Sequence, residues 1–269
     1  MRRVVDAIDP APADRFLEIG PGRGALTWAL AERAARVLAV EIDRELAAGL
    51  RERAGPTVEV LTGDVLDCDL VELVASLAPT SGAEPSRLRL VGNLPYRVSA
   101  PILLQVLRAS DRGARPDDAV VMLQEEMADR VTAGPGEAAY GPLAVAVWLR
   151  ATAARRLRLP PGAFRPAPAV HSAVVALRFR PPARAPRNGA RFDALVRSLF
   201  TQRRKQAGTA LGPFAARYGL SGPEVFRRAG LDARRRPRDL APGELVALAD
   251  ALPSAGALRS TGADAAESD

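Results

Sequence analysis

Of 269 residues, one is cysteine (Cys68), one is histidine (His171) and one is lysine (Lys205). A lone cysteine excludes an internal disulfide and any zinc site made of cysteines alone, and a lone histidine argues against a histidine-based metal centre. No metal is therefore expected, and Cys68 and His171 read as packing and surface residues. Apolar runs long enough to cross a bilayer, about 18 residues, are missing too. So is the charged-then-apolar start of a secretory leader. The expectation is a globular, cytoplasmic chain.

The hydrophobic share, 48%, suffices for one large domain or for a large and a small one. Basic residues exceed acidic ones by 38 to 31. With lysine nearly absent and Ala, Arg and Pro abundant, that excess is most simply a genomic base-composition bias, so its distribution says more than its size. Between Arg191 and Arg238 lie Arg191, Arg197, Arg203, Arg204, Lys205, Arg217, Arg227, Arg228, Arg234, Arg235, Arg236 and Arg238. Against them stand Asp193, Glu224, Asp232 and the adjacent Asp239. This local surplus favours a polyanionic partner; the competing explanation is a solvated helical surface.

Short β-branched runs alternate with helical patterns through the first two thirds, as in a parallel sheet wrapped by helices. Strands are predicted at 15–19, 37–42, 58–61, 88–91, 119–123, 153–159 and 173–179, with helices at 25–33, 44–53, 69–77, 101–108 and 124–132. The boundaries that follow are an α/β domain over 1–180 and a proline-rich linker at 181–190. A helical domain over 191–253 comes next, with helices at 192–211, 223–229 and 243–251, and then a disordered tail at 254–269.

Three stretches carry chemistry. Glu18-Ile19-Gly20-Pro21-Gly22-Arg23-Gly24 follows an apolar strand and precedes a helix, where glycines permit a tight turn and close approach of backbone to a ligand. Alone it also fits a dinucleotide fingerprint. Glu41, 21 residues beyond Gly20 at the end of the second strand, can accept both hydroxyls of a ribose. Asp64, after the third strand, can accept an adenine amino group. The Glu41 feature suits a dinucleotide as well as another adenosine-bearing cofactor, and the competing explanation for each carboxylate is a helix cap, since Asp43 and Asp64 both stand before helices.

The deciding stretch is Gly92-Asn93-Leu94-Pro95-Tyr96, at the end of the fourth strand, where open α/β sheets bind ligands. The lone pair of an adenine N6 is delocalised into the ring. An Asn93 side-chain oxygen and a Leu94 carbonyl that accept its two N–H bonds let the nitrogen pyramidalise toward a methyl group. Tyr96 stacks on the extruded base, and Pro95 fixes the turn between acceptor and ring. A sulfonium is already an activated electrophile, so no catalytic histidine is required.

These residues resemble the ribosomal RNA adenine dimethyltransferase family, of the bacterial small-subunit type. The likeness extends through Gln124-Glu125-Glu126, Tyr140-Gly141, the Pro160 to Val175 stretch and Gln202-Arg203-Arg204-Lys205. It implies a Rossmann-like class I methyltransferase sheet with a small C-terminal helical domain, and S-adenosylmethionine as cofactor. The cofactor contacts it implies are Glu18, Gly20, Gly22, Glu41, Ile42, Asp64, Val65 and Asn93. Asn93, Leu94, Pro95 and Tyr96 would form the catalytic turn, with Phe164 as the second wall of the base sandwich. Arg203, Arg204 and Lys205 would bind RNA. The implied reaction is dimethylation of two adjacent adenines near the 3′ end of 16S rRNA in an immature small subunit, by a monomer. One departure concerns a leading Gly-Gln-Asn-Phe-Leu-like motif that closes over the cofactor in the family. The chain opens at Met1-Arg2-Arg3, past that motif, so either weakened cofactor affinity or a start site upstream is expected. Rival readings are a large-subunit adenine methyltransferase giving macrolide resistance, a non-catalytic nucleic-acid-binding protein on the same fold, and a nicotinamide dehydrogenase.

Overall fold

The computed structural model describes residues 1–78, 86–163, 169–181 and 184–253. They divide into two compact units, Met1–Thr132 with Arg150–Pro181, and Ala133–Leu149 with the residues from Pro182 onward.

The first unit begins with α1 (Arg2–Ile8) and then alternates strand and helix. In order come β1 (Arg15–Ile19), α2 (Ala25–Ala31), β2 (Arg36–Glu41), α3 (Arg44–Arg53), β3 (Val58–Thr62), α4 (Leu70–Ser76), β4 (Leu88–Asn93), α5 (Ser99–Asp111), β5 (Asp118–Gln124) and α6 (Glu125–Thr132). Two further strands, β6 (Ala151–Leu159) and β7 (Ser172–Phe179), complete a seven-stranded sheet of order β3-β2-β1-β4-β5-β7-β6. The first five strands run parallel, and β7 runs antiparallel to both of its neighbours, β5 and β6. Central strands read as continuous apolar runs because helices cover both faces. Phe16, Val37, Ala39, Val91 and Val121 are accordingly fully buried. Helix starts follow from side-chain caps: Asp43 accepts the N–H groups of Glu45 and Leu46 to open α3, and Asp69 accepts that of Val71 to open α4.

At the amino ends of the strands sits a buried ion cluster that the sequence pattern did not announce. Arg89 of β4, 3% exposed, uses all five of its donors. Nε and Nη2 go to the two Asp118 oxygens at 2.7 Å, Nη1 goes to Asp14 and the Asp9 carbonyl, and Nη2 also reaches the Ile8 carbonyl. Burial pushes the Asp14 carboxyl up, but hydrogen bonds from Arg87, the Ala11 N–H and Arg89 outweigh it and hold the group below its ordinary value.

The second unit is helical in its described part, with α7 (Pro142–Arg150, of which residues to Leu149 belong here), α8 (Gly189–Thr201), α9 (Ala207–Ala215), α10 (Gly222–Arg228) and α11 (Pro242–Asp250). Two sequence expectations need correction. Residues 133–149 belong to this unit and not to the α/β domain, because Tyr140, Val145 and Leu149 pack into one core with Phe192, Leu199, Phe226 and Leu245. The Tyr140 hydroxyl donates to the Leu240 carbonyl at 3.0 Å, and its ring meets Phe200 edge-on at 5.7 Å. The predicted helix at 192–211 is instead two helices. The first N–H groups of α9 donate to the carbonyls of Arg235 and Ala233, so a tertiary contact replaces helix continuation and residues 202–206 form a turn. Since α8 opens at Gly189, capped by Asn188, the linker ends before the expected 190. Residues 182–183 of that linker and the expected tail at 254–269 lie outside the described residues.

Candidate active site

The chain winds from β1 toward β2 and β3 on one side and from β4 toward β5 on the other, so the loops leaving β1 and β4 diverge and open a crevice at their carboxyl ends. In the register Ile19 pairs with Gly92, which sets Gly20 beside Asn93. Gly92 is obligatory there: a Cβ would drive into the Ile19 carbonyl oxygen. Gly20, Gly22 and Gly24 have φ of 68°, 58° and 79°, in the left-handed region that side chains disfavour. A Cβ on Gly20 would lie 3.8 Å from the Asn93 carbonyl oxygen and 3.9 Å from Pro95 Cδ, whereas one on Gly22 would meet nothing within 4 Å. At Gly20 the turn comes within van der Waals range of the Asn93 loop, and at Gly22 it is open.

The Glu41 carboxylate, 5% exposed, secures the turn by accepting the Gly22 N–H at 2.9 Å and the Asp43 N–H at 3.0 Å. Next to it Ile42 is 64% exposed, an apolar side chain left in the open at the end of β2. Across the edge, the Gly63 N–H donates to the Glu41 carbonyl and brings Asp64 alongside. One Asp64 oxygen accepts the Leu66 N–H at 2.9 Å, and among the described residues the other oxygen has no partner. Val65 is buried beneath. Gln105 of α5 braces this loop by donating to the carbonyls of Leu66 and Cys68, a support that nothing in the sequence marked.

At the end of β4 the Leu94 N–H is used by the Met122 carbonyl and the Leu94 side chain is buried. Asn93 is exposed, and among the described residues its side-chain amide has no hydrogen-bond partner. Pro95 is exposed and Tyr96 half-buried. The Pro95 carbonyl accepts the Val98 N–H and the Tyr96 carbonyl accepts the Ser99 hydroxyl, so the turn leads directly into α5. The Tyr96 hydroxyl lies 3.4 Å from Oγ of Ser172, a buried residue at the start of β7. Sequence reasoning missed Ser172 because its partner is 76 residues away and only the antiparallel return of β7 beside β5 joins them. Phe164 lies outside the described residues.

Glu18 is the least ordinary side chain of the group. It is 1% exposed, the Thr27 hydroxyl, fully buried in α2, is the one hydrogen-bonding side chain beside it, and among the described residues neither Glu18 Oε2 nor Thr27 Oγ1 makes a hydrogen bond of good geometry. Burial pushes the Glu18 carboxyl up to about 7; Thr27 opposes the rise and the Glu41 carboxylate adds to it.

In the second unit the structure sorts the basic block. Arg228 pairs with Glu224, Arg234 with Asp232, and Arg235 with Glu244. Arg203, Arg204 and Lys205 fill the exposed turn between α8 and α9. Arg203 donates to the Ala138 carbonyl, and Arg204 and Lys205 have no ion-pair partner among the described residues.

Residues 1–218 match the family described as ribosomal RNA adenine dimethylase. The chain belongs to that family. Relatives named ribosomal RNA small subunit methyltransferase A include one from Burkholderia sp, 42% identical over 91% of this chain and 84% of the relative. Another, from Acidobacterium capsulatum, is 43% identical over 92% and 84%. Among solved structures, a dimethyladenosine transferase from Plasmodium falciparum shares the fold, with a TM-score of 0.73, 21% identity and 92% of both chains covered. The 23S rRNA methyltransferase ErmE superposes with a TM-score of 0.62 at 26% identity over 93% of this chain and 95% of that one. The fold is thus that of class I methyltransferases, as the resemblance implied.

Proposed function

We propose that this member of the ribosomal RNA adenine dimethylase family transfers methyl groups from S-adenosylmethionine to the N6 amines of two adjacent adenines near the 3′ end of 16S rRNA. It would act in the cytoplasm, as a monomer, on an immature small subunit. The observation that carries the reading is the junction of the Gly20–Gly24 turn with the Asn93 loop across the Ile19 and Gly92 pairing.

The residues at this edge fit the cofactor. Open space over Gly22 admits an extended amino-acid moiety, Glu41 can take ribose hydroxyls, exposed Ile42 offers an apolar face to a purine, and the free Asp64 oxygen can accept an exocyclic amine. When bound, S-adenosylmethionine supplies a methyl group already activated on a sulfonium. The chain's own part is to prepare the nucleophile. The Asn93 side-chain oxygen and the Leu94 carbonyl accept the two N6–H bonds, which localises the nitrogen lone pair and turns it toward the glycine turn. Tyr96, steadied through Ser172, holds the extruded base by stacking. The product ammonium gives its proton to water, and a second cycle requires that the monomethylated amine still fit beside Leu94. Arg203, Arg204 and Lys205 would meet phosphate.

Relatives named for the small subunit are 38–43% identical to this chain, against 26% for the large-subunit enzyme ErmE, which favours the small-subunit reading. The test is incubation of under-methylated small and large subunits with labelled S-adenosylmethionine, followed by nucleoside analysis and primer extension. N6,N6-dimethyladenine at adjacent 16S positions is the expected result; label in 23S rRNA alone would overturn it.

A further inference from the structure

A buried carboxyl with no cation beside it among the described residues calls for an explanation, because buried charges are ordinarily paired. Glu18 lies on β1 beneath the Gly20–Gly24 turn, with Ala39 of β2 and Val91 of β4 as its strand neighbours and Thr27 of α2 beside it. The Thr27 hydroxyl is the one side-chain donor acting on the Glu18 carboxyl, and among the described residues neither Glu18 Oε2 nor Thr27 Oγ1 makes a hydrogen bond of good geometry. Glu41, already engaged by two N–H groups, is the one charged group acting on Glu18 among the described residues, and it is of like sign. Among the described residues no cation compensates Glu18.

We infer that Glu18 is the counter-charge for the positively charged methyl donor. It ionises when the donor binds above it and takes its proton back once transfer leaves a neutral thioether. Glu18 thereby sets the discrimination between donor and spent product. This rests on the cofactor assignment proposed above. The balance is simple: the neutral carboxyl releases one proton to solvent as the donor's charge arrives, and the carboxylate regains one when only the thioether remains. The raised protonation range of Glu18, centred near 7, puts that exchange within reach of neutral pH.

The test is calorimetric titration of the whole protein with S-adenosylmethionine and with S-adenosylhomocysteine at pH 7, in phosphate and in Tris. These buffers differ in ionisation enthalpy, so the observed heats report protons exchanged. Donor binding is expected to release about half a proton, because a group centred near 7 is half neutral at that pH, and product binding essentially none. The ratio of donor to product affinity is expected to rise about eightfold between pH 6 and pH 7.5. Glu18→Gln, which keeps shape and burial, should make both heats independent of buffer and the ratio independent of pH; Glu18→Asp should retain proton release. Donor binding without proton release in the wild type, or with release unchanged in Glu18→Gln, would remove this role and leave the proposed function standing. Failure of the wild type to bind the donor at all would overturn both.

Discussion

The two ends of the same parallel sheet handle polar groups in opposite ways. At the amino ends, Arg89 is buried yet saturated: five donors, five acceptors, and the Phe16 ring 5.5 Å beneath its guanidinium. At the carboxyl ends, among the described residues, Glu18 is buried with only the Thr27 hydroxyl to answer it, the Asn93 amide is exposed without a partner, and Ile42 stands in the open. Buried charge is costly unless fully paired, so the first end is organised for folding. The second leaves part of its hydrogen-bonding capacity unspent, at Asn93 and at one Asp64 oxygen, as a surface that receives a ligand does.

If this contrast is right, substitutions at the two ends should separate activity from stability. The largest effect is expected for Asn93→Ala. Transfer should fall by about a thousandfold, the scale of losing a group aimed at the reacting centre, while the melting temperature stays within a degree or two. Single-turnover assays beside thermal melts would show it. Arg89→Met should do the reverse, costing about 3–5 kcal/mol of stability because Asp14 and Asp118 are left unpaired. Denaturant titration measures that loss, and the turnover of the folded fraction should be unchanged.

Glu18 links the two ends through pH. Its folded-state value, about 7, is raised from 4.5, so the folded protein holds the proton more tightly than the unfolded chain. Its contribution to stability is therefore present at low pH and is lost as pH climbs from 4.5 through about 7. Glu18→Gln lacks that loss and should be more stable than the wild type at pH 8 by on the order of 3 kcal/mol. The advantage should vanish near pH 4.5, and a pH series of denaturant curves would show whether it does. Charge reversal at Arg204 and Lys205, far along the chain from either end, should leave melting and single-turnover chemistry alone and lower the slope of log affinity for RNA against log salt by about two. Ser172→Ala should have the smallest effect, about 1 kcal/mol. It should appear as a higher KM for RNA with kcat nearly retained, and Ser172→Thr should restore it.

The carboxyl edge was legible in the sequence because its residues are contiguous with strand ends. Glu18-Ile19-Gly20-Pro21-Gly22 and Gly92-Asn93-Leu94-Pro95-Tyr96 each announce a strand, a stop and a turn, and parallel pairing of β1 with β4 does the rest. The strands fell within two residues of their expected limits for the same reason, since apolar β-branched runs define them. What escaped depends on residues far apart in the chain. Arg89 interrupts an apolar strand, and the carboxylates that answer it, Asp14 and Asp118, stand 75 and 29 positions away. Ser172 and Gln105 act on loops more than 35 positions away. The split between α8 and α9 comes from backbone groups near Arg235, which no local propensity could reveal. The placement of residues 133–149 was hidden likewise, for Tyr140 finds Leu240 a hundred residues on.

The central claim is that the Asn93 loop, held against the Gly20 turn, prepares an adenine amine for methyl transfer. The direct measurement is dimethyladenine formation in under-methylated small subunits by the wild type and by Asn93→Ala, alongside binding of S-adenosylmethionine to each. The account predicts N6,N6-dimethyladenine with the wild type, next to none with Asn93→Ala, and donor affinities within a few-fold of one another. Full dimethylation by Asn93→Ala would contradict it.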